Sequence, residues 1–134
     1  MVIRQAVRLI SDMLESVTDD AYFEARQIVS EISGGKMPFE EISEAQLAEC
    51  EDKALLCDIA IGHLKNTGGT AVDLCSGSGC IAVTVALEAN IKTAGIEISD
   101  KAYGYFLKNI EQNKAERSVT AINGDIFDKD ILCL

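Results

Sequence analysis

The chain has 134 residues, 48% of them hydrophobic and 25% charged, which is too apolar for disorder and sized for one compact domain or two very small ones. A net charge of −10 repels a phosphate backbone, so no nucleic-acid partner is expected, and no apolar run is long enough to make a membrane span. Five cysteines without a CxxC pair, beside a single histidine (His63), argue against a disulfide framework and a metal centre and fit a reduced, cytoplasmic setting.

The acidic residues concentrate in the first 60 positions and read as solvated helix faces. Met1 leads into a mixed polar helix without the apolar stretch of a secretory signal. In that helix Ile3, Val7, Ile10, Leu14 and Val17 recur at steps of three and four, giving one apolar stripe. Thr18 or Asp19 can cap a second helix, whose apolar positions are Phe23, Ile28 and Ile32 and whose end is set by Gly34-Gly35. Ser43 and Gln46 form a capping-box pattern that opens a third helical stretch through Leu47, Cys50, Ala54, Cys57, Ile61 and Leu64. It is long for a globular helix, so a kink or a pair of helices is a second reading.

From Thr70 the pattern changes. Thr70 to Leu74 reads as a short strand, Ile81 to Leu87 as a helix, and Thr93 to Ile98 as a second strand. Ser99 caps a helix carrying Ala102, Tyr103, Phe106, Leu107 and Ile110, and Ser118 to Ile122 reads as a third strand. Strands alternating with helices predict βαβ units and a parallel sheet. The expected class is therefore α/β, a small helical domain over residues 1–66 followed by a partial Rossmann-like domain over 67–134.

The segment between the first strand and its helix, Val72-Asp73-Leu74-Cys75-Ser76-Gly77-Ser78-Gly79-Cys80, carries the chemistry. Glycine without a Cβ lets the backbone turn sharply and lets a ligand lie against it, and the free N–H groups at the next helix start face that ligand. Glu97 ends the second strand, where an acid can accept ribose hydroxyls, and Asp125 follows Gly124 after the third, where an acid can meet an adenine edge. Taken singly, the glycines suit a structural turn, Glu97 a solvated strand end and Asp125 a turn. In this order, at the carboxyl ends of consecutive parallel strands, they favour a nucleoside-type ligand. The spacing does not separate a nicotinamide dinucleotide from S-adenosylmethionine, because Ala82 satisfies the GxGxxA variant.

The run Asp73-Leu74-Cys75-Ser76-Gly77-Ser78-Gly79-Cys80-Ile81-Ala82-Val83 closely resembles the first motif of release-factor glutamine methyltransferases. Gly95-Ile96-Glu97-Ile98-Ser99, Asn113 and Asn123-Gly124-Asp125-Ile126-Phe127 are similar to that family's downstream pattern, and Phe23-Glu24-Ala25-Arg26 to its helical N-terminal domain. The resemblance implies a class I methyltransferase using S-adenosylmethionine, with a peptide-chain release factor as partner. It implies that Gly77 and Gly79 lie beside the methionine moiety together with Cys75, Ser76 and Ser78, and that Asp73 orients this turn. It further implies that Glu97 and Ile98 hold the ribose side, and that Asp125 and Ile126 flank the adenine.

The chain departs from that family in three ways. The family's β-hairpin linker before the first strand is missing, Cys75 replaces the first glycine of the turn, and the Asn-Pro-Pro-Tyr motif does not occur. The resulting expectation is cofactor binding without efficient catalysis by this chain alone, with self-association through an exposed sheet edge. A helical assembly module on a half-Rossmann scaffold is the competing reading.

Overall fold

The computed structural model describes residues 1–16, 20–38 and 40–131. It divides into two compact units, Met1–Gly62 and His63–Leu134.

The first unit starts with α1 (Ile3–Leu14), whose buried face is Ile3, Ala6, Val7, Ile10 and Leu14. Val17, Thr18 and Asp19, assigned above to the stripe and the following cap, lie outside the described residues. The cap of α2 (Ala21–Ser33) is Asp20, whose carboxylate accepts the Phe23 N–H at 3.2 Å. Gly34 ends α2 in the left-handed region at φ 74°. The buried apolar stripe of α2 is Ala25, Ile28 and Val29; Phe23 and Ile32, expected to be core, are only half-buried because they flank that stripe. The segment before α3 returns to the chain start: Ile3 N–H donates to the Glu40 carbonyl, and Ile42 N–H to that of Met1, each at 2.9 Å.

The third stretch is one continuous helix, α3 (Glu44–Thr67), not two helices. Its start is the predicted box: Ser43 Oγ accepts the Gln46 N–H, and the Gln46 side chain accepts the Ser43 N–H, each at 3.2 Å. No proline interrupts it. Gln46 also donates to the Ile32 carbonyl at 3.0 Å, and Lys53 pairs with Glu31 at 2.9 Å, fixing α3 against α2. Cys50, Ala54, Cys57 and Ile61 form its buried side.

The second unit is a β-α-β-α-β run: β1 (Thr70–Leu74), α4 (Cys80–Ala89), β2 (Lys92–Glu97), α5 (Asp100–Gln112) and β3 (Val119–Asn123). The strands are parallel, in the order β1-β2-β3, with Asp73 opposite Gly95 and Gly95 opposite Ala121. That row faces the helices. Its neighbour Val119 belongs to a core of Ala82, Val83, Ala86, Phe106, Ile110 and Ala115, drawn from α4, α5 and the turn after α5. Leu107 is exposed, and buried Asn109 takes a place on the inner face of α5 beside Phe106 and Ile110. On the opposite side of the sheet Val72 and Leu74 stay 61% and 52% exposed, so within this unit helices cover one face of β1 only. Asp130 and Ile131 lie in a turn, and residues 132–134 lie outside the described residues. Among the described residues the sheet has three strands.

Candidate functional site

The turn between β1 and α4 is held from three sides. From β2, the Ser76 N–H reaches the Ile96 carbonyl at 2.9 Å, and the Gly77 N–H reaches one oxygen of the Glu97 carboxylate at 2.8 Å. The other Glu97 oxygen accepts the Ser99 N–H at 2.7 Å, and its carbonyl accepts the Gly124 N–H at 3.0 Å. Glu97 is thus 92% buried yet well bonded, and it ties the ends of all three strands together. From α5, Asn109 donates to the Ser78 carbonyl at 3.4 Å, while its own oxygen accepts the Asn113 amide at 2.7 Å. From below, the wholly buried Phe106 ring supports both glycine positions. A Cβ on Gly79 or on Gly95 would fall inside that ring, and Gly79 also sits at φ 76°. Glycine is required there for two independent reasons: space and backbone conformation.

Cys75 adopts φ 60°, a conformation that a side chain makes costly by roughly 1–2 kcal/mol. Its thiol is exposed. Ser76 beside it is buried, and its Oγ has no hydrogen-bond partner. A buried hydroxyl left unpaired costs about 1–3 kcal/mol, so this atom is a vacant polar contact inside the turn. Ser78 and Gly77 are half-buried, and Asp73 is half-buried as the penultimate residue of β1.

The remaining predicted residues fall at the same edge. Ile98 is 65% exposed beyond β2. Asp125 is exposed in the turn after β3 and accepts the Phe127 N–H at 2.9 Å, with Ile126 half-buried beside it. The fold therefore brings Glu97 into direct contact with the glycine turn. It places Ile98, Asp125 and Ile126 along the adjoining rim without a bond to that turn. Sequence reasoning missed Asn109 and the supporting role of Phe106. The available signal was the glycine pair itself: Gly79 and Gly95, far apart in sequence, both demand a bulky neighbour. Among the described residues no cluster of His, Cys, Asp or Glu could hold a metal ion.

Residues 58–132 match the family model of the TRM5/TYW2 methyltransferase domain. The chain belongs to that family. A TRM5/TYW2-type domain is a Rossmann-like methyltransferase fold, and S-adenosylmethionine is its cofactor. Two curated relatives match part of the chain. The release factor glutamine methyltransferase of Thermodesulfovibrio yellowstonii is 38% identical over 66 residues, covering 48% of this chain and 23% of the relative. The protein-lysine N-methyltransferase of Saccharolobus islandicus is 38% identical over 60 residues, covering 44% of this chain and 37% of the relative. The match therefore spans well under half of either relative. A Staphylococcus aureus structure assigned as a caffeoyl-CoA O-methyltransferase has a TM-score of 0.60 at 15% identity. It covers 89% of this chain and 50% of that one, a likeness of fold.

The turn of this TRM5/TYW2-type domain fits the cofactor on its own geometry. The unpaired Ser76 hydroxyl offers a polar contact. Gly77 and Gly79 leave room beside the backbone, and buried Glu97 supplies a negative charge fixed by two N–H donors. No helix among the described residues is long and apolar enough to cross a membrane.

Proposed function

We propose that the chain binds S-adenosylmethionine along the carboxyl edge of β1, β2 and β3 and serves methylation of a nitrogen on a protein side chain. The observation that carries this reading is the Ser76 hydroxyl, buried and unpaired inside a turn that Glu97 and Phe106 already hold in place. The bound cofactor supplies an electrophilic methyl group on a sulfonium. The turn of Cys75, Ser76, Gly77, Ser78 and Gly79 receives its amino-acid end, oriented from β1 by Asp73. Glu97 keeps acceptor capacity for ribose hydroxyls, because a carboxylate accepts about four hydrogen bonds and two are in use. Ile98 and Ile126 offer apolar surface to the adenine, and Asp125 an acceptor at its edge.

The acceptor follows from the relatives. One is named for glutamine in a release factor and the other for protein lysine, so a side-chain nitrogen is the shared chemistry. Glutamine of a release factor leads, because the resemblance runs through the glycine turn and Asn123-Gly124-Asp125 as well. The exposed Val72 and Leu74 at the open side of β1 support self-association there.

Calorimetric titration of the full chain with S-adenosylmethionine tests the reading. One saturable site that Glu97→Ala weakens by tenfold or more is the expected result, on the order of one charge-assisted hydrogen bond. Absence of saturable binding by the folded wild type would overturn it and leave the assembly-module reading in its place.

A further inference from the structure

The helix α3 is apolar on two opposite sides. Its buried side is Cys50, Ala54, Cys57 and Ile61. At about 100° per residue, Leu55, Leu56 and Ile59 point the other way. They are 50%, 51% and 60% exposed. With Asp52 they stand at positions i, i+3, i+4 and i+7, the spacing of a helix–helix contact stripe. The stripe continues toward the helix start through Glu49, Ala48 and Ala45, where the alanines are exposed and small enough to admit a second helix closely. A helix with apolar residues on both sides is usually an inner helix, yet among the described residues of its own unit nothing buries this side.

Charge identifies the occupant. Residues 1–62 hold thirteen acids against five basic residues, a net −8 of the chain's −10. On the open stripe Glu49 and Asp52 are acidic, and no lysine or arginine shares it. The basic residue of mid-helix, Lys53, points elsewhere and pairs with Glu31. Two copies meeting through this stripe would set Asp52 and Glu49 against themselves between two units of net −8. A basic partner meets the opposite field.

We infer that the Leu55–Leu56–Ile59 face of α3 is a docking surface for an amphipathic helix of a partner protein, apolar on one side and flanked by lysine or arginine. This inference stands independently of the cofactor reading, because none of its residues belongs to the glycine turn.

The probe is a fluorescent 18-residue peptide of leucine and lysine, with leucine at helical spacing, titrated with the full chain and read by anisotropy. A matching leucine–glutamate peptide is the control. The lysine peptide is expected to bind, and the glutamate peptide is not. Leu55→Ser combined with Ile59→Ser leaves the charge unchanged and is expected to weaken binding roughly tenfold or more. Both positions are exposed, and circular dichroism verifies that the variant keeps its fold. Asp52→Asn is expected to lower affinity at low salt and to flatten the salt dependence. Equal binding by wild type and the double-serine variant would reduce the effect to bulk charge and overturn the proposal, as would no binding at all. A wild-type dimer in sedimentation that the double-serine variant dissolves would assign the face to a second copy, and would also overturn it.

Discussion

The carboxylate of Glu97 accepts the backbone N–H of Gly77 at 2.8 Å, across twenty residues of chain. The same carboxylate accepts the Ser99 N–H, so one side chain serves both the glycine turn and the start of α5. Glu97→Ala leaves two partly buried donors, the N–H groups of Gly77 and Ser99, without their carboxylate partner, at about 1–2 kcal/mol each. Glu97→Gln keeps one acceptor but brings an NH2 group against the other N–H. Chemical denaturation is expected to rank stability as wild type, then Gln, then Ala, with the Ala variant lower by about 2–4 kcal/mol. A Gln variant as unstable as Ala would show that charge, not hydrogen-bond geometry, holds the turn.

Gly79 and Phe106 compete for one space. Gly79→Ala combines a strained φ of 76° with a methyl group driven into the ring, and is expected to destabilise by about 2–4 kcal/mol. Phe106→Leu alone costs about 1 kcal/mol, and in the Gly79→Ala background it should recover part of the loss. Denaturation of the four proteins gives the coupling energy, expected to be about 1 kcal/mol in the compensating direction. Strict additivity would mean that the two groups do not meet.

Cys75 stands in a left-handed conformation with its thiol exposed, so little packing is lost on removing it. Cys75→Gly relieves the strain and increases the freedom of the unfolded chain, effects that partly cancel. A net stabilisation of about 0.5 kcal/mol is expected in urea denaturation. Cys75→Ala retains the strain and should show no gain.

Burial pushes the Cys50 thiol from 9.0 up to about 11, with the nearby Glu49 adding to the rise. The folded chain keeps this proton where the unfolded chain gives it up. Its contribution is therefore complete below about pH 9 and is lost as pH climbs toward 11. The stability difference between wild type and Cys50→Ala should narrow over that interval. Thermal unfolding of both proteins at pH 7.5 and about pH 10 measures it. A constant difference would mean that the thiol titrates alike in both states.

Much of this arrangement is legible in the sequence, because local chemistry dictates it. The capping pair Ser43 and Gln46, the stop at Gly34 and the strand–turn–helix around Gly77 and Gly79 are each specified within a few residues. What was not legible depends on contacts between distant residues. Phe23 and Ile32 have core chemistry, but a one-position rotation of the α2 stripe gives the centre to Ala25 and Val29. Asn109 is buried for a related reason: it reaches Ser78 and Asn113, and these bonds repay the burial of its amide. The positions of Glu97 and Asp125 at the strand ends followed from the βα alternation. That Glu97 would grip Gly77, while Asp125 would bond its own turn at Phe127, required the register of the sheet.

The strand order β1-β2-β3 has a kinetic consequence. Each strand pairs with the next one in the chain, so no contact of the sheet waits for a remote segment. The Gly77–Glu97 bond closes a loop of twenty residues, half of it consolidated by α4, and doubling such a loop would add only about 0.6 kcal/mol of closure entropy. The glycine turn is accordingly shaped in the same local event that docks β2 beside β1, early on the path to the folded domain. A strand edge formed this way belongs to the most local part of the sheet, and β3 arrives beside a turn that already has its final form.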